Sequence, residues 1–251
     1  MDIDIDLSGT QRYSSTNTRV FPRVERFRFF DVILRKPDWQ DKKVLDVGGN
    51  CGNFLLDCVE GNVGVDPVNY YCMDVDQDAL DYGKSLCPEA NWNHHNAFNH
   101  MYNPTGEHDL IFPYEDNTFD YVIAYSVYSH ATIEQILFDL SEMKRVCKPE
   151  GIIAFTFVDT QGVSWFLDKR RKEYPHRKCV TLEEIEKSVL DYKYLVDSDL
   201  LVDEMYSSKH VEHLVSIFHP GWLSDVLKKN GFDNVVRFPT TGHVQKTIIL
   251  K

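Results

Sequence analysis

Lys43-Val44-Leu45-Asp46-Val47-Gly48-Gly49-Asn50-Cys51-Gly52-Asn53 is the stretch whose reading decides the fold. A short apolar run halted by glycine is how a buried parallel strand enters a tight turn. Phe54-Leu55-Leu56 then opens a helix. Small residues in such a turn let the backbone come close to a ligand, and the helix N-terminus behind it faces the same ligand. The next strand, Tyr70–Val75, carries Asp74 near its tip, where a carboxylate can accept hydrogen bonds from ribose hydroxyls. Asp66, after Val63-Gly64-Val65, and Asp76 compete for that role. Asp74 is preferred, because Pro67 and Asn69 read as a loop and a helix over Asp78–Leu86 follows at the expected place.

Working outward, strand and helix keep alternating. Val24, Phe27, Phe30, Ile33 and Leu34 have helical spacing, ended by Pro37. A short strand is expected near Trp92–His95, and a stronger one over Phe119–Tyr125. Thr132 and Gln135 form a capping box ahead of an apolar stripe at Ile133, Ile136, Leu137, Leu140, Met143 and Val146. Lys148-Pro149-Glu150-Gly151 reads as a break, followed by a strand over Ile152–Val158. Residues 160–218 interrupt the rhythm; they read as mostly helical, with a second capping box at Thr181 and Glu184. A helix bearing Trp222, Leu223, Val226 and Leu227 follows and ends at Lys228-Lys229-Asn230-Gly231. Two β runs, Val235–Phe238 and Thr247–Leu250, close the chain as an antiparallel pair.

This order predicts an α/β fold: a Rossmann-like, seven-stranded, mostly parallel sheet with helices on both faces and the last strand antiparallel. The expected domains are an N-terminal arm and helix (1–40), a ligand-binding Rossmann-like domain (41–159 and 219–251) and a helical cap insert (160–218) for substrate recognition.

Asp46-x-Gly48-x-Asn50-x-Gly52 resembles motif I of the class I S-adenosylmethionine (SAM)-dependent methyltransferases. The commoner motif has glycine where Asn50 stands, and asparagine also tolerates left-handed backbone geometry. Four further segments resemble the family in order: Tyr71–Asp76, Pro113–Val122, Arg145–Gly151 and Pro220–Phe232. The resemblance implies SAM as cofactor and S-adenosylhomocysteine (SAH) as product. It implies cofactor contacts at Asp46, Gly48, Gly49, Asn50, Gly52, Asp74 and Val75, adenine near Asn96 and Ala97, and the methionine part near Tyr125 and Ser126.

The bulk properties narrow the partners. In 251 residues the formal net charge is −12, so nucleic acid is disfavoured as a partner, because phosphate neutralisation needs a surplus of Lys and Arg. No apolar run approaches the roughly 20 residues of a membrane span. The acidic start Met1-Asp2-Ile3-Asp4 is unlike a targeting peptide, so a cytoplasmic protein is expected. The six cysteines form no C-x-x-C pair and read as reduced, packed thiols. The histidines His94, His95, His100, His210 and His213 lack acidic or cysteine partners at ligating spacing, so no metal is expected. Oligomeric state is open, a homodimer included.

For chemistry on the second substrate, the stretch Tyr125-Ser126-Val127-Tyr128-Ser129-His130 lies at the strand edge where ligands bind in open α/β sheets. His130 is the first candidate base, with capping or packing of the next helix as its competing reading; Tyr128 is a possible orienting group, and His219 a second candidate whose competing reading is a helix-entry residue before Pro220. The reaction expected is methyl transfer to a small-molecule acceptor, at O or N rather than C, in specialised metabolism. The alternatives are a macromolecular acceptor, a tRNA or a protein side chain docking on the basic run at 169–178, and a non-catalytic SAM-binding partner subunit.

Overall fold

The computed structural model describes residues 26–99, 102–159, 194–196, 216–218, 221–232, 234–238 and 245–250. The chain divides into two compact units, one of residues up to Tyr125 with Glu142–Ile153, the other of Ser126–Ser141 with Ala154 onward.

In the first unit, β1 (Val44–Val47) is buried at all four positions. It pairs in parallel with β2 (Tyr70–Asp74) on one side and β4 (Phe119–Ala124) on the other. β2 in turn pairs in parallel with β3 (Asn91–His94). The order β3-β2-β1-β4 then continues into β5 (Cys147–Asp159). The register sets Val47 level with Met73 and Ala124, and Asp74 level with His94. All four strands therefore end at one edge, and the turns that leave them converge there.

The helices form for visible reasons. α1 (Arg26–Ile33) and α2 (Asn53–Gly61) pack through aromatic rings: Phe27 meets Phe54 edge-on at 5.5 Å, and Trp39 meets Phe54 at 5.5 Å. Phe54 also stacks on Tyr70, with centroids 6.1 Å apart. α3 (Gln77–Leu86) is capped by Asp76, whose Oδ1 accepts from the Ala79 amide at 3.2 Å. Thr132 caps α4 (Ile133–Val146), its hydroxyl accepting from the Gln135 amide at 3.3 Å. Late in α4, the Arg145 guanidinium donates to Glu142, Asp116 and the carbonyls of Phe112 and Tyr114. That one side chain ties the loop before β4 to the helix.

In the second unit, the later part of β5 pairs in parallel with β7 (Ser216–Phe218), and β7 pairs antiparallel with β6 (Tyr194–Val196). β9 (Gln245–Leu250) pairs with β5 and, antiparallel, with β8 (Val235–Phe238). α5 (Trp222–Lys229) ends at Gly231, where φ is 84°, and the Phe232 amide closes back on the Leu227 carbonyl at 3.1 Å.

The seven expected strands are all present, with the closing antiparallel pair. Two features differ. β5 begins at Cys147, directly from α4, because the Thr118 amide donates to the Val146 carbonyl and Lys148 Nζ to Asp120 Oδ2 at 2.8 Å. Lys148-Pro149-Glu150-Gly151 therefore extends the strand rather than breaking it. The segment read as a helical insert also supplies β6 and β7; the rest of it, with the Thr181 capping box, lies outside the described residues. Among the described residues, no helix is long and apolar enough to cross a membrane.

Candidate functional site

The turn after β1 is held by backbone geometry. Gly48, Asn50 and Gly52 have φ of 65°, 55° and 76°. The Gly48 amide donates to the Met73 carbonyl at 2.8 Å, fastening the turn to β2. At Gly49 the need is for space: a Cβ there would stand 2.6 Å from Cys72 Sγ and 3.0 Å from Asp46 Oδ2. Gly52 heads α2, and no side chain caps that helix. The N-terminus of that helix follows directly on the turn.

Two carboxylates flank it. Asp46 is 1 % exposed and accepts from the Tyr70 hydroxyl at 2.6 Å. Burial pushes its pKa up to about 6, with the charge of Arg26 and the Tyr70 hydrogen bond pulling the other way. Asp74, the last residue of β2, accepts from the Asn50 amide through Oδ2 at 2.6 Å and from the Asp76 amide through Oδ1 at 2.9 Å. Burial raises its pKa too, and those two amides oppose the rise. The acidic tip of β2 is thus fastened to the glycine turn by one short hydrogen bond. Asp66 instead caps a 3-10 turn at Pro67–Asn69, accepting from the Val68 amide at 3.1 Å, before β2 begins. Asp76 caps α3 through Oδ1, and its Oδ2 is buried without a partner.

The other predicted residues of this unit lie along the same strand edge. Val75 follows Asp74, and its carbonyl sits 3.2 Å from His94 Nε2. Asn96 and Ala97 follow β3, where the Asn103 amide group holds the Asn96 side chain and the Ala97 carbonyl at 3.0 Å each. Beside them His95 is buried edge-on to Phe112, and burial lowers its pKa. Tyr125 follows β4, 7 % exposed, with Phe29 edge-on at 5.2 Å.

Three further features were not foreseen. The Trp92 ring fills the space above Gly52 and Gly83, where added Cβ atoms would each come within 2.4 Å of it. Tyr70 is the buried donor to Asp46. Arg26, at the head of α1, lays its guanidinium over the Tyr125 ring, 5.2 Å from the centroid. The helical spacing of Val24, Phe27, Phe30, Ile33 and Leu34 leaves the arginines off the apolar stripe, so nothing in the sequence marked Arg26.

The second unit holds Ser126 and Tyr128. Ser126 has a φ of 64°, strained for a serine, and its amide donates to Thr156 Oγ1 at 2.8 Å. Tyr128 is fully enclosed, edge-on to Phe155 at 5.3 Å, and burial holds its hydroxyl well above the usual tyrosine range. This is a position in the unit's core. His130 closes the 3-10 turn Tyr128–His130; its side chain, and all of His219, lie outside the described residues. Cys51, Cys58, Cys72, Cys87 and Cys147 are free and buried, and Cys179 is outside the described residues. Among the described residues, no three His, Cys, Asp or Glu side chains are placed to hold a metal ion.

Residues 45–153 match a family described as a methyltransferase domain. Among solved structures, the chain is similar to the PH0226 protein of Pyrococcus horikoshii OT3, at 16 % identity and a TM-score of 0.56, covering 95 % of this chain and 94 % of that one. It is similar to a SAM-dependent methyltransferase of Methanosarcina mazei at 15 % identity and a TM-score of 0.51, covering 87 % and 95 %. DhpI, solved in complex with SAM and HEP, is 13 % identical with a TM-score of 0.54, over 88 % and 82 % of the two chains.

Proposed function

We propose that this chain, whose residues 45–153 match a methyltransferase-domain family and whose fold is like that of a solved SAM-dependent methyltransferase, transfers a methyl group from SAM to an oxygen or nitrogen of a small-molecule acceptor. The observation that carries the cofactor half is the 2.6 Å hydrogen bond from the Asn50 amide to Asp74. It couples the turn that would hold the amino-acid end of SAM to the carboxylate that would hold its ribose.

The residues present suit the cofactor. Gly48 and Gly52 take the left-handed geometry the turn needs, and a helix N-terminus without a side-chain cap follows it at α2. Each Asp74 oxygen accepts one amide and keeps a second lone pair that would serve ribose hydroxyls, while Val75 and Asn96 would lie beside the adenine and Tyr125 toward the methionine part. The cofactor supplies a methyl group on a positively charged sulfur. The protein's contribution to an in-line displacement is alignment of the acceptor with that group. A hydroxyl or ammonium acceptor must also lose a proton, and His130, in the turn after β4, is the residue proposed to take it. The acidic chain, at −12, favours a small acceptor over RNA or DNA.

Calorimetric titration with SAH tests the reading. The wild type is expected to bind with micromolar affinity, and Asp74→Ala to bind at least tenfold more weakly. A folded wild-type protein that gives no heat with SAH refutes it.

A further inference from the structure

Arg26, half-buried at the head of α1, stands out among the described residues as a cation with enclosed, unpaired donors. Its Nε and Nη1 are shut off from solvent and have no hydrogen-bond partner. A buried charged donor left unpaired is costly, by about 1–3 kcal/mol for each unmade bond and more for a charge. The Tyr125 ring beneath it, 5.2 Å from the guanidinium carbon, recovers part of that cost through its π face but accepts no ordinary hydrogen bond.

The two neighbouring carboxylates do not pair with it. Asp46 directs Oδ2 to the Tyr70 hydroxyl, and Asp74 spends both oxygens on the amides of Asn50 and Asp76. Arg26 is near enough for its charge to act on both, yet it is hydrogen-bonded to neither. A guanidinium fixed over an aromatic ring with open donors is a prepared acceptor site for an anion. The two carboxylates nearby disfavour a multiply charged anion such as a phosphate. They suit a group that brings a single negative charge with a positive one beside it.

We propose that Arg26 is the anchor for the α-carboxylate of an amino-acid group bound at the glycine turn. On the reading given under Proposed function, on which this rests, that group is the methionine end of the cofactor. Arg26 is then a binding residue delivered by the first helix. α1 is held in place by the contact of Phe27 with Phe54 and by the Phe27 amide, which donates to Asp57 at 3.3 Å.

The test separates this contact from a structural role by trimming the ligand as well as the protein. SAH and 5′-deoxy-5′-methylthioadenosine share the thioether nucleoside, and only the first has the amino-acid group. Both are titrated into the wild type, Arg26→Gln and Arg26→Lys. Loss of a charged hydrogen-bonded contact, about 1.5–3 kcal/mol, is expected to weaken SAH binding to Arg26→Gln by about 10–100-fold. Methylthioadenosine should bind all three proteins within about threefold, and Arg26→Lys should recover part of the SAH affinity. Equal weakening of both ligands, or no weakening of either, overturns the anchor while leaving the cofactor reading intact. If the glutamine variant does not fold, the lysine variant decides: SAH weakened and methylthioadenosine unchanged supports the anchor, and any other pattern rejects it. A wild type that binds neither ligand fails the cofactor reading itself, and the anchor with it.

Discussion

Asp46→Asn should change how stability depends on pH in a direction set by where Asp46 sits. The carboxyl is 1 % exposed, and burial lifts its pKa from the ordinary 3.8 to about 6. A buried acid with a raised pKa holds its proton more tightly in the folded chain than in the unfolded one. Its contribution to stability is therefore fully present below pH 3.8 and is lost as pH climbs through about 6. A rise of about two units corresponds to about 3 kcal/mol at the top of the range, as an order of magnitude. The groups that face it are Tyr70, whose hydroxyl stays protonated throughout, Arg26 and Asp74. Asparagine keeps an oxygen for the Tyr70 hydroxyl and has no charge to bury, so its cost is independent of pH. Urea unfolding of both proteins without ligand, at half-unit steps from pH 4 to 8, gives the difference in unfolding free energy at each pH. Subtracting the variant removes every titration the two proteins share. The wild type should lose about 2–3 kcal/mol relative to Asp46→Asn between pH 4 and pH 7, with most of the change complete by pH 6.5. A flat difference curve, or one in which the wild type gains with pH, refutes the assignment of a buried, proton-retaining Asp46.

Gly83→Ala lies inside α3, where alanine would ordinarily gain about 1 kcal/mol. Here the new Cβ would stand 2.4 Å from the Trp92 ring and 2.8 Å from the Cys51 carbonyl, so we expect a net loss of about 1–3 kcal/mol by urea unfolding; a gain would mean Trp92 swings away freely. His130→Ala should cut turnover of the acceptor by about 100-fold or more while SAH binds as before, and a turnover within a few-fold of wild type removes His130 from the chemistry.

The cofactor side was legible because its signals are local. A short, mostly apolar run, a glycine after it, an acidic residue at the next strand's end and a helix beyond are each readable within ten residues of chain. Asn50 illustrates why the pattern survives a substitution: its φ of 55° is the left-handed geometry that asparagine tolerates and that the turn needs. What escaped was set by distant partners. β7 is three residues long, too short for any periodicity, and is a strand only because Ile217 and Phe218 find Val158 and Asp159. Tyr70 reads as an ordinary strand aromatic until Asp46 lies against its hydroxyl. The strand start at Cys147 depends on Thr118 and Asp120, far back in the chain, reaching Val146 and Lys148.

Arg26 shows the same limit in its sharpest form. A helix pattern says which face is apolar, and by that rule an arginine at the head of α1 belongs in water. Its actual place follows from the rings next to it. Phe27 meets Phe54 and Trp39, and Phe30 meets Tyr125, so the helix is seated by aromatic contacts against α2 and the end of β4. With Phe27 seated there, the guanidinium of the residue before it lies over Tyr125, near enough for its charge to act on Asp46 and Asp74. Packing that stabilises the first helix therefore also delivers a cation to the glycine turn. Trimming Phe27 should thus weaken SAH binding through Arg26 without touching a ligand contact, a coupling that no single residue's pattern encodes.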